Sequence, residues 1–172
     1  RHPLNWLVVL NHKITYFTFF ILSNKIDEGQ IILKEKFYID DNIKYALNNM
    51  NVASKRGIEK IIKKLINPKF LKLSIQKNKK ANYLRKRTFH DTILDPRMNF
   101  TTIIKIFNSY RDPYPGCVLY VGKNKFINIK SILKKNKKNL NLNFDNYEHG
   151  YVFKKLKNSI LIKFGIDLVM IK

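Results

Sequence analysis

Residues 14–39 read ITYFTFFILSNKIDEGQIILKEKFYI. Both ends are rich in β-branched and aromatic residues and the middle in turn formers. The pattern predicts two strands, Ile14–Leu22 and Ile31–Ile39, joined by a loop from Ser23 to Gln30. Asp40, Asp41 and Asn42 then offer capping oxygens for a helix. Apolar residues recur at helical spacing through Ile43, Leu47, Met50, Ile58, Ile61, Ile62 and Leu65, until Asn67-Pro68 stops them. This is one long helix, or two short ones broken near Gly57. Upstream, the apolar run Trp6–Leu10 ends at Asn11, His12 and Lys13, far short of the roughly 18 apolar residues of a membrane span.

Downstream of Phe70 the periodicity is lost. The stretch to Asp95 is basic, with Lys77, Lys79, Lys80, Arg85, Lys86 and Arg87, and is expected to be an extended surface connection. A second helix is predicted over Phe100–Tyr110, running into Pro113-Tyr114-Pro115-Gly116. Short strands follow at Cys117–Val121, Phe126–Ile129, Tyr151–Phe153, Ser159–Phe164 and Asp167–Ile171, with turns at Gly122-Lys123-Asn124 and Lys157-Asn158. This tail predicts a small antiparallel barrel, with Lys134–Lys138 as a solvated loop.

The 172 residues, 45% hydrophobic, suffice for a real core, and disorder is excluded. Thirty-four Lys and Arg against twelve Asp and Glu give a formal charge of +22. Such a field suits nucleic acid or another anionic partner. Yet the cations are mostly Lys, mixed with Asn and Ile and spread along the chain, as codon bias alone would produce. A lone cysteine, Cys117, excludes an internal disulfide, and a reducing cytoplasm is the expected compartment. His2, His12, His90 and His149 show no metal spacing, and neither a nucleophile elbow nor a Gly-rich phosphate loop is present. Asp27, in Lys25-Ile26-Asp27-Glu28-Gly29, reads by itself as an ordinary turn residue.

Several landmarks in one order carry more. Arg1-His2-Pro3-Leu4-Asn5-Trp6 leads into a short helix ending near Asn11. Thr15-x-x-Thr18-Phe19-Phe20 precedes Ile26-Asp27-Glu28-Gly29-Gln30-Ile31-Ile32. Gln76 is followed by Ala81-Asn82-Tyr83, then Arg87-Thr88-x-x-Asp91-x-x-x-Asp95. Pro113-Tyr114-Pro115-Gly116 stands before Tyr120 and Gly122-Lys123. Together, over nearly the whole chain, they resemble the formyltransferases that use 10-formyltetrahydrofolate. Tyr16, Gln30, Phe89 and Asn108 depart from that family's pattern.

The resemblance implies an α/β fold: the C-terminal half of a doubly wound, Rossmann-like formyltransferase domain (residues 1–75), a linker and helix (76–112), and a small OB-like β-barrel (113–172). It implies that the family's catalytic Asn and His precede Arg1. Asp27 is then the one member of the catalytic trio within the chain, holding the His in orientation, and the chain alone is expected to show little or no catalysis. Glu28 and Gly29 would shape the turn that offers backbone groups to the pterin, Gly29 through tolerance of positive φ.

Tyr114 between the two prolines and the short tail point to a sugar N-formyltransferase. It would act on a nucleotide-linked amino sugar in surface-glycan synthesis, with Arg85, Lys86 or Arg87 meeting the diphosphate. A methionyl-tRNA formyltransferase, meeting tRNA through the same basic surface, is the alternative. A basic RNA-binding module stacking bases on Tyr83, Tyr147 or Tyr151 is the reading from another class. No membrane partner is expected, and self-association into a homodimer is left open.

Overall fold

The computed structural model describes residues 2–67, 72–76, 82–139 and 143–172. The readings that fall on Arg1, Pro68, Phe70, Lys77, Lys79, Lys80 and Ala81 lie outside the described residues. Helix α1 (Pro3–Val9) leads into β1 (Ile14–Phe20), β2 (Ile31–Tyr38) and the long helix α2 (Ile43–Ile66). Helix α3 (Phe100–Ser109) follows, then β3 (Cys117–Tyr120), β4 (Phe126–Ile129), β5 (Ile132–Lys135), β6 (Val152–Leu156), β7 (Ser159–Phe164) and β8 (Asp167–Ile171).

β1 and β2 form an antiparallel ribbon running from Ile14 opposite Tyr38 to Phe20 opposite Ile31, with an irregularity between Phe19 and Phe20. Helix α2 lies on this ribbon. It begins where the Asn42 side chain accepts the Lys44 N–H at 3.0 Å, as an N-cap should. The helix does not break at Gly57. A Cβ there would lie 2.2 Å from the Phe19 ring, so the glycine lets helix and strand approach.

The buried stripe of α2 is Ile43, Ala46, Ala53 and Gly57. Continued at the same angle it reaches Ile61 and Lys64, which are half-buried. Ile58, Ile62 and Leu65, which belong to the same helical repeat of apolar residues, are each about half exposed. The ribbon is too narrow to cover that second apolar line.

Two hydrophobic clusters organise the chain. Leu4, Val8, Phe37, Ile39, Ile43, Ala46 and Ala53 unite α1, the ribbon and α2. Leu94, Ile103 and Phe107 join the inner faces of the C-terminal strands, among them Cys117, Leu119, Ile162, Phe164 and Val169. Tyr114 packs against both clusters. Asn5 ties them together: its Nδ2 donates to the Ser109 carbonyl at 2.6 Å, so α1 is fixed to the end of α3.

The C-terminal strands are antiparallel, as expected, but no closed barrel forms among the described residues. β3 and β4 make a separate ribbon beside a four-stranded sheet ordered β5-β8-β7-β6. β5 corrects the expected Lys134–Lys138 loop. Ile132–Lys135 pairs along β8, with Lys134 opposite Val169. Lysine on an edge strand faces solvent and discourages edge-to-edge association, so a basic run need not be a loop. Asp167 accepts from Lys134 Nζ at 2.7 Å and from the Phe100 N–H at 2.9 Å, binding β8 to β5 and to the start of α3. Burial raises its pKa, but these partners outweigh burial and hold it below the ordinary carboxylate value.

Candidate functional site

The loop between β1 and β2 is built from the close approach of its two ends. Ile21 N–H donates to the Gln30 carbonyl at 2.9 Å. Gly29 sits inside this closure: a Cβ on it would stand 1.6 Å from the Ile21 carbonyl oxygen, so only glycine fits. The expected positive φ is not at Gly29. It is at Asp27, with φ 58°, a conformation Asp tolerates better than most residues. Gly29 is therefore required for proximity and Asp27 makes the turn.

The loop is also held from the far side. Residue 74 bridges Ile31 through paired backbone hydrogen bonds of 2.8 and 3.0 Å. Gln76 Nε2 donates to the carbonyls of Asp27 and Gly29, both at 2.8 Å. Gln76 was legible as a landmark but carried no role; the fold makes it the clamp of the Asp27 turn. The Asp27 carboxylate is exposed and makes no hydrogen bond or ion pair among the described residues, so it is free to accept from an incoming donor. Among the described residues Glu28 forms only an exposed ion pair with Lys25 at 3.6 Å, worth little.

Arg85, Lys86 and Arg87 are placed in different environments. Exposed Arg85 forms a bidentate pair with Asp91, whose Oδ2 also accepts the Thr88 N–H at 2.7 Å, closing a capping box on the 3-10 turn Phe89–Thr92. Arg85 is the chief cause that holds the Asp91 carboxyl well below the usual range, against the opposing effect of burial. Lys86 is exposed, with an ammonium that has no partner among the described residues.

Arg87 is only 8% exposed. Its guanidinium lies between the rings of Trp6 and Tyr110, 4.7 Å from each centroid, and its Nε donates to Tyr110 Oη at 2.6 Å. Burial raises the Tyr110 pKa, opposed by the Arg87 contact, so the phenol stays protonated as the acceptor.

Arg87 opens on a cleft of about 380 Å³ whose other walls include Asn5, Phe89, Tyr114, Pro115 and Val118. No residue of the Asp27 loop lines it. Cys117, 1% exposed, is no nucleophile: burial pushes its thiol up to about 12, against the pull of nearby Arg87. Among the described residues no group of His, Cys, Asp and Glu is arranged to hold a metal, and no helix is long and apolar enough to cross a membrane. Of the tyrosines proposed for base stacking, Tyr83 is fully open at 93% exposure, whereas Tyr147 and Tyr151 pack against each other and Phe153.

No protein-family model matches the chain. Its fold is similar to that of an N-formyltransferase from Helicobacter canadensis in complex with folinic acid and dTDP-3-aminofucose, at TM-score 0.67 and 15% identity, over 100% of this chain and 60% of that one. HypX from Aquifex aeolicus, in complex with tetrahydrofolic acid, matches at TM-score 0.67 and 15% identity, over 99% of this chain and 29% of that one. A methionyl-tRNA formyltransferase from Clostridium thermocellum matches at TM-score 0.60 and 21% identity, over 79% of this chain and 58% of that one. The chain thus spans between about a third and three fifths of the solved structures it matches. It has a formyltransferase-like fold, that of the C-terminal part of such enzymes.

Proposed function

We propose that this chain belongs to an enzyme that transfers a formyl group from 10-formyltetrahydrofolate to the amine of a nucleotide-linked amino sugar. The observation that carries the reading is the Asp27 turn: a carboxylate unpartnered among the described residues, on a backbone locked by Gly29 and by the Gln76 clamp. Such a group suits one task well. It accepts the N–H of an imidazole, fixes its tautomer and favours the imidazolium that forms when the imidazole takes a proton from the attacking amine. The imidazole is contributed by the part of the architecture that this chain does not span.

Support for the substrates comes from the similar fold of the N-formyltransferase in complex with folinic acid and dTDP-3-aminofucose. The Glu28–Gly29 backbone borders the pterin in this reading. Lys86 and Arg85, exposed on the connection after Gln76, offer charge to the diphosphate.

A chimera joining this chain to the first half of a sugar N-formyltransferase tests the proposal. The expected result is formylation of a dTDP-amino sugar. Formylation of methionyl-tRNA alone would move the acceptor to tRNA, and a folded chimera inert toward both would sink the reading.

A further inference from the structure

We infer that the cleft beside Arg87 is a binding site for a small organic carboxylate. A buried guanidinium normally has a carboxylate partner, because an uncompensated buried charge is costly. Arg87 has no ion pair among the described residues. Asp91, near enough for the Arg87 charge to lower its pKa, spends its oxygens on Arg85 and the Thr88 N–H. Nη1 of Arg87 is buried with no hydrogen-bond partner among the described residues. The Trp6 and Tyr110 rings and the bond from Nε to Tyr110 hold the guanidinium plane in place. Nε is thus committed, whereas Nη1 and Nη2 donate no hydrogen bond among the described residues, and two such nitrogens match the two oxygens of a carboxylate.

The cleft itself sets the rest of the ligand. Phe89, Tyr114, Pro115 and Val118 offer apolar walls. The volume of about 380 Å³ suits a small organic ligand seated in the cleft. Among the described residues Arg87 is the one Lys or Arg on the wall, with the His2 imidazole also lining it, which suits a single negative charge better than a phosphate dianion. Asn5 adds discrimination. Its Nδ2 is committed to Ser109, and its Oδ1 is a second buried atom without a partner among the described residues. That acceptor disfavours a further anionic oxygen and favours a ligand that also carries a hydroxyl or N–H. The inference stands whether or not the Asp27 turn serves formyl transfer.

Phenylacetate, phenylacetamide and phenyl phosphate serve as probes against the ¹⁵N-labelled chain, with calorimetry for affinity. Phenylacetate is expected to bind saturably, with shifts centred on Arg87 Nε–H, the Asn5 side-chain amide and Gly116. The neutral amide and Arg87→Lys are each expected to weaken binding at least tenfold, about 1.4 kcal/mol. Phe89→Ala, whose ring is 53% exposed on the cleft wall, leaves the fold intact and is expected to weaken phenylacetate severalfold. Equal binding of the amide, shifts spread over exposed lysines, or an unchanged affinity in Phe89→Ala would each overturn the site. Tighter binding of phenyl phosphate would overturn the carboxylate assignment.

Discussion

Asp27 stands on an exposed turn whose backbone is immobilised while its carboxylate is left open, whereas Arg87 is a buried cation held by its side chain between two aromatic rings. The Asp27 turn gets its precision from main-chain closure, through Gly29 against Ile21 and Gln76 across two carbonyls. The Arg87 cleft gets it from tertiary packing, because Trp6, Tyr110 and Arg87 come from three distant parts of the chain. An exposed charge costs the fold almost nothing and is available for chemistry. A buried unpaired charge costs stability and marks a place where a counter-charge belongs.

The sharpest way to break this contrast is Asp27→Asn in the chimera. Asparagine also tolerates the left-handed turn, so the fold should be unchanged while formyl transfer falls about 100–1,000-fold; steady-state rates beside a thermal melt check both halves. Gly29→Ala attacks the same turn through its backbone. Its Cβ collides with the Ile21 carbonyl, and urea unfolding should show a loss of about 3 kcal/mol.

On the Arg87 side, Tyr110→Phe removes the acceptor of Arg87 Nε and leaves the guanidinium with another unsatisfied donor. The expected loss is about 1–3 kcal/mol, and added phenylacetate should restore part of it. Gln76→Ala removes two hydrogen bonds from a partly exposed loop. It should cost about 1 kcal/mol and speed amide exchange in residues 23–30 without disturbing the cleft.

The smallest effect concerns pH. Because the folded pKa of Asp91 is depressed, its stabilisation is complete above the unfolded value of about 4 and is lost as pH falls through the lower folded value. Asp91→Asn should therefore flatten the decline of stability on the acid side of about pH 4, measured by urea midpoints.

Much of the fold was legible because its strands and helices carry local patterns. β1, β2, α3, β4, β7 and β8 fall within a residue or two of where periodicity and turn residues place them. β5 was missed because Lys134 and Lys135 look like solvent-facing loop residues, and so they are, but on an edge strand. That the second apolar line of α2 stays half exposed was not readable, because helical spacing reports amphipathicity, not how wide a partner the helix meets. At the site, Asp27, Glu28, Gly29 and Arg87 were each singled out from sequence. Which of three neighbouring cations would be buried was not readable, since Arg85, Lys86 and Arg87 are alike in composition and differ only in what packs on them.

By itself the sequence determined the order of the elements other than β5, the turn between β1 and β2 and the residues able to cap and close it, because these depend on contacts between near neighbours. Only the tertiary structure decided that Gly29 serves proximity and not positive φ, and that Gln76 clamps a turn nearly fifty residues upstream. It alone left Arg87 buried between Trp6 and Tyr110 with no ion pair among the described residues. Those outcomes depend on residues far apart in the chain, and their meeting is set by packing, on which local pattern is silent.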